Sequence, residues 1–129
     1  MKLKVLAALV CCLGVCGLAA TAEAQAPIPT TISVVTTYGG GDNVLYAFGG
    51  LTTPNSKCLA NRTVKIFFTN SNGTKLVDTD RTSNTGTWAG RGNIPLPTKA
   101  RFTVTRKTFG HRGHRRTCAG DSLNRLVSG

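Results

Sequence analysis

Acidic side chains are nearly missing from this chain: five of its 129 residues are Asp or Glu, against sixteen Lys or Arg. Beyond Glu23 there are only Asp42, Asp78, Asp80 and Asp121, which leaves little for chemistry that needs two carboxylates as acid and base. Asp78 and Asp80, two apart in a strand-like stretch, can share a face. Beside Arg81 they read better as a solvated strand face offsetting a cation. The run from Asp78 also fails as a calcium loop, with Ser83 and Ala89 where Gly and Glu are required. No G-x-S-x-G turn occurs, and the closeness of Asp121, Ser122 and the histidines in sequence does not supply triad geometry. No catalytic residues and no enzyme activity are expected.

Helical periodicity is missing too. After the first two dozen residues no long segment carries apolar residues at helical spacing, and Thr, Val, Gly and Asn stand where helix formers would be needed. TVKIFFT alternates Val64, Ile66 and Phe68 on one side with Lys65, Phe67 and Thr69 on the other, the pattern of a half-buried antiparallel strand. RFTVTRK repeats it, with Phe102 and Val104 inward and Arg101, Thr103, Thr105 and Lys107 outward. Five further candidates are TISVVTTY (31–38), NVLYAFGGL (43–51), TKLVDTD, TWAGRG and SLNRLVS. Gly49-Gly50 suggests a bulge and leaves the face of Phe48 open, and Asn72-Gly73 signals a hairpin. The expected fold class is all-β: about seven short strands in a sandwich of two sheets.

What is present begins with a leader. MKLK precedes VLAALVCCLGVCGLAATAEAQA, an apolar run ending in small residues at A-x-A spacing, which is the order of a secretory signal peptide. Cleavage after Ala24 is favoured over Ala26, where Pro27 would follow the cut. A retained anchor is the alternative, since the uncharged run is only slightly shorter than the roughly 18 residues of a span. No charge cluster follows to stop transfer, so no stable span is expected after cleavage. Cys11, Cys12 and Cys16 lack the small residue that precedes a lipid-modified cysteine and read as apolar residues. The expected division is signal peptide 1–24, flexible lead-in 25–31 and one domain over 32–129. The protein is placed outside the cytoplasm, secreted or at the cell surface. Removing the leader takes away Lys2, Lys4 and Glu23, so the formal charge falls by only one from +11. Two cysteines remain, Cys58 and Cys118, and an even count in an exported chain implies one disulfide.

Three short stretches carry a resemblance. Cys58-Leu59-Ala60-Asn61-Arg62-Thr63-Val64 places a cysteine and a basic residue ahead of a strand; Thr82-Ser83-Asn84-Thr85-Gly86-Thr87-Trp88 is a Thr-x-x-x-Gly-x-aromatic turn; Cys118-Ala119-Gly120-Asp121-Ser122 closes with a cysteine and a serine four residues on. In this order they resemble small exported bacterial domains of the immunoglobulin-like, prealbumin-like kind, related to carboxypeptidase regulatory-like domains. The resemblance implies a structural, adhesive or accessory module without catalysis. Ser83 stands where Asp is common, and its side chain can still make the turn bond. Trp88 reads as core.

The densest positive charge lies in RKTFGHRGHRRTC, which holds Arg106, Lys107, Arg112, Arg115 and Arg116 with both histidines. Planar guanidinium groups suit phosphate, carboxylate or sulfate, so these five are the candidate anion-binding residues. Anionic envelope polymers, lipid headgroups or other surface proteins are the expected partners, with a loop whose charge only keeps a small exported domain in solution as the alternative. Nucleic acid is disfavoured, because Phe109 is the one aromatic in the loop available for stacking. His111 and His114 have metal-site spacing, yet neighbouring arginines repel a divalent ion and no carboxylate completes the set. No metal or other cofactor is expected. The two N-x-[ST] sequons, at Asn61 and Asn72, mark surface only.

Overall fold

The computed structural model describes residues 25–39, 43–94 and 98–127; the leader expected over residues 1–24 lies outside them. Nine strands follow one another: β1 (Thr31–Gly39), β2 (Val44–Thr52), β3 (Thr63–Asn70), β4 (Gly73–Arg81), β5 (Trp88–Asn93), β6 (Thr98–Val104), β7 (Lys107–Phe109), β8 (Arg116–Cys118) and β9 (Asp121–Val127), with one 3-10 turn at Ser56–Cys58. All pair antiparallel, in the orders β1-β2-β5 and β4-β3-β6-β9, with β7-β8 as a separate hairpin. The all-β class and the seven longer strands are those read from the sequence, except that the strand read as RFTVTRK ends at Val104 and Lys107 opens the next strand. The count is nine rather than seven because the stretch after Val104 does not simply run out into a loop; it turns back on itself as a hairpin.

Alternation decides which side chains meet. Val64, Ile66 and Phe68 of β3 and Ala100, Phe102 and Val104 of β6 face Ile32, Val34, Leu45, Ala47, Leu51 and Trp88 of the other sheet in one core, as in a sandwich. Trp88 is 3 % exposed, and its ring lies 5.6 Å from that of Phe102 across the two layers.

The expected bulge at Gly49-Gly50 is absent, since Val34 pairs with Gly49 and Ser33 with Gly50 in unbroken register. Gly49 instead faces inward where a Cβ would strike the Ser33 carbonyl and the Trp88 ring. Phe48 points outward. The register shift falls between Ile66 and Phe67, opposite β4. Gly86 (φ +82°) turns the chain into β5, and Ser83 Oγ accepts from the N–H groups of Thr85 and Thr87, the side-chain turn bond anticipated for that serine.

The scarce aspartates close the seams between the two sheets. Asp78 and Asp80 on edge strand β4 accept from Arg91 N (2.8 Å) and Ala89 N (2.9 Å) on edge strand β5. On the opposite side Asp121 of β9 accepts from Ile32 N of β1 at 2.9 Å. Each carboxylate thus occupies a donor that would otherwise stand open on a sheet edge. We expect the Asp78→Ala/Asp80→Ala variant to lose about 2 kcal/mol, roughly 1 kcal/mol per bond, and to self-associate through the uncovered β5 edge. Urea denaturation with sedimentation velocity checks this, and an unchanged midpoint would remove the seam role.

Candidate functional site

The basic stretch singled out in the sequence is built on a braced foundation. Lys107, Thr108 and Phe109 pair with Cys118, Thr117 and Arg116. Strand alternation therefore puts Lys107, Phe109, Arg116 and Cys118 on one face of the hairpin and the two threonines on the other. Below that face, Cys58 and Cys118 form the expected disulfide, with Cα atoms 5.6 Å apart. Ile28, Cys58, Cys118 and Phe109 make a second small apolar cluster apart from the main core.

Ile28 belongs to the stretch read as a flexible lead-in. It is 4 % exposed, its N–H donates to Thr117 O and its carbonyl accepts from Ala119 N, both at 2.8 Å. The segment therefore lies beside β8 as a short parallel addition.

Arg62 ties these pieces together. It is 1 % exposed, and its guanidinium donates to Thr105 O from Nε and Nη2, to Ala119 O from Nη2 at 2.7 Å, and to Cys58 O and Thr30 Oγ1 from Nη1. Its partners are carbonyl and hydroxyl dipoles, and burial lowers the guanidinium pKa below its ordinary value. One planar fork thereby joins the segment before β1, the 3-10 turn, the end of β6 and the turn into β9.

The five candidate anion-binding residues do not share one environment. Lys107 Nζ donates to Ala60 O at 2.7 Å and reaches Lys57 O at 3.5 Å, so its charge braces the hairpin. Arg116, opposite Phe109, is half-buried, with Nε shielded from water and without a partner. Arg106, Arg112 and Arg115 are exposed. Arg112 is the second residue of a tight turn in which His114 N donates to His111 O at 2.8 Å, and Arg115 follows that turn directly. Gly113 (φ +88°) occupies the third turn position, as in a type II turn, and Gly110 (φ +103°) lets the chain pass close to the carbonyl of His114. Lys57, which the sequence did not single out, stands 5.6 Å from the Phe109 ring as a cation over its face. The tip therefore presents Arg112, Arg115 and both imidazoles to solvent, with Arg106 and Lys57 nearer its base.

Other chemistry finds less support. Among the described residues no group of three His, Cys, Asp or Glu side chains is placed to hold a metal ion. Asp78 and Asp80, considered as an acid/base pair, each hold a main-chain N–H. One surface depression is lined by Val44, Tyr46, Arg91, Gly92 and Asn93 and another by Asp80, Arg81, Ser83, Thr87, Trp88 and Ala89. Neither lining contains histidine or cysteine, and the single carboxylate among them already accepts from Ala89. Among the described residues no helix is long and apolar enough to cross a membrane. Compared with known proteins, the chain matches no family model, no curated protein and no solved structure.

Proposed function

We propose that this chain is a non-catalytic, immunoglobulin-like module that works outside the cytoplasm and presents the β7-β8 hairpin to a partner. The strand order carries the reading. Lettered A to G in sequence, β1 to β6 and β9 give A-B-E facing D-C-F-G, an order of immunoglobulin-like kind with strand D paired to C instead of E. The hairpin is an insertion between F and G, at one end of the sandwich, where such folds place their binding loops. A disulfide supports export. The bridge departs from that of antibody domains: it pins the inserted hairpin to the B–C connection and does not cross the core.

The partner class favoured by the hairpin is an anionic polymer, and the bracing supports it. A loop held at its base by a disulfide, Ile28, Arg62 and Lys107 loses little entropy when it binds. The anion-binding set narrows to Arg112 and Arg115, with Arg106 behind them.

Binding of the purified oxidised protein to a panel of anionic polymers, at low and physiological salt, tests the reading beside an Arg112→Ser/Arg115→Ser variant. Both side chains are exposed, so the variant should keep its unfolding free energy within about 0.5 kcal/mol. We expect binding by the unaltered protein to survive physiological salt and to fall at least tenfold in the variant, with a shallower salt dependence. Equal binding by both proteins would remove the polymer site from the hairpin.

A further inference from the structure

We propose that the outer face of the β4-β3-β6-β9 sheet docks flat on an anionic phospholipid surface, a second binding surface independent of the hairpin. Register places the residues. Leu76 of β4, Phe67 of β3, Arg101 of β6 and Asn124 of β9 form one cross-strand row; Thr69, Lys99 and Leu126 lie in the next towards one end, and Lys65 beside Thr103 in the next towards the other. With strands about 4.8 Å apart and about 6.8 Å between same-face neighbours along a strand, Lys65, Arg101 and Lys99 make a diagonal of cations across the two central strands. The Arg101 guanidinium rests 4.9 Å over the Phe67 ring, which holds it flat and outward.

Among the described residues nothing acidic answers these charges on that face. Asp78, Asp80 and Asp121 pair in register with Ile66, Val64 and Val104, which point into the core, and their carboxylates are engaged at the seams. The four aspartates of the sequence are thus three at the seams and Asp42, which lies outside the described residues. The field over the face is positive.

Cations alone would suit any polyanion; the leucines select the partner. Leu76 and Leu126, on the two edge strands, are 47 % and 75 % exposed, roughly 16 Å apart across three strand spacings and one row. A soluble polyanion would leave both in water. A bilayer surface accepts lysine and arginine among its headgroups while apolar side chains at the rim enter the acyl boundary. Their separation also means that one flat contact seats both at once, with the cation diagonal between them.

Co-sedimentation of the purified protein, as its producing cell processes it, with vesicles of phosphatidylglycerol and phosphatidylcholine tests the proposal, with pure phosphatidylcholine vesicles as control. Three variants are compared: Lys65→Gln/Lys99→Gln/Arg101→Gln, Leu76→Ser/Leu126→Ser, and Arg112→Ser/Arg115→Ser. We expect selective binding to the anionic vesicles, weakened on the order of 100-fold by loss of the three cations and about tenfold by loss of the leucines. The leucine variant should keep its binding to a soluble sulfated polymer, and the hairpin variant should bind vesicles within a few-fold of the parent. Absence of anionic-vesicle binding by the parent overturns the proposal. So does full binding by the leucine variant that a soluble polyanion competes away, which would assign the face to such polymers. A loss confined to the hairpin variant overturns it too, while leaving the hairpin reading intact; should the triple variant fold poorly, the leucine pair, on edge strands, decides alone.

Discussion

Arg62→Ala should lower the unfolding free energy by about 3 to 5 kcal/mol, since each of the three buried carbonyls it leaves unsatisfied costs roughly 1 to 3 kcal/mol. The cause is what stays behind. Cys58 O, Thr105 O and Ala119 O are served by the guanidinium from three separate parts of the chain, and alanine leaves these carbonyls facing a cavity too poor in donors to satisfy them. Arg62→Lys separates charge from geometry: an ammonium can satisfy some acceptors but cannot span Thr30, Cys58, Thr105 and Ala119 together. It should therefore lose about 2 kcal/mol. For a domain whose whole stability is expected near 5 to 15 kcal/mol, the alanine variant would be marginal at 37 °C. Urea denaturation of the three proteins measures this, and a lysine variant as stable as the parent would show that charge alone matters at the site.

The Cys58→Ala/Cys118→Ala variant should lose about 4 kcal/mol, the chain-entropy value for a bridge whose cysteines stand 60 residues apart. The loss should be uneven across the molecule. The cysteines belong to the small cluster with Ile28 and Phe109, outside the main core, so amide exchange should accelerate first in β7, β8 and the segment around Ile28 while β3 and β6 keep their protection. Arg62 couples the two results, because its Nη1 donates to the carbonyl of Cys58. Combined with Arg62→Ala, the bridge variant should fall short of the sum of the two losses by 0.5 kcal/mol or more, as residues sharing a partner do. Full additivity, or exchange that quickens equally in β3 and β7, would separate the disulfide from the guanidinium hub.

Some of this was legible residue by residue. Period-two alternation in 63–69 and 101–104 marks strands because only one face of a sheet enters the core, and the residues read as inward, Val64, Ile66, Phe68, Phe102 and Val104, are buried in β3 and β6. Gly86 and Ser83 announce a turn because glycine takes positive φ and serine can bond back to the main chain. Trp88 as core and Cys58 with Cys118 as a bridge follow from the same local logic.

The site was less legible. Arg112 and Lys107 look alike in the sequence, yet one is free at a hairpin tip and the other is held by the carbonyl of Ala60, 47 residues away. Arg62 carried the faint signal of a basic residue between a cysteine and a strand. The carbonyls that surround it come from positions 4, 43 and 57 residues distant, and no local pattern records them.

The sequence by itself therefore determined the all-β class, the seven longer strands, the inward faces of β3 and β6 and the bridge, because side-chain alternation, turn chemistry and cysteine count act over a few residues or by simple number. Only the tertiary structure decided which cations are free, where the aspartates are spent, that residues 107–118 form a hairpin, and that Leu76, Lys65, Arg101, Lys99 and Leu126 share one face. Those outcomes depend on register between strands and on main-chain groups far apart along the chain, and register emerges only when both sheets close on a common core.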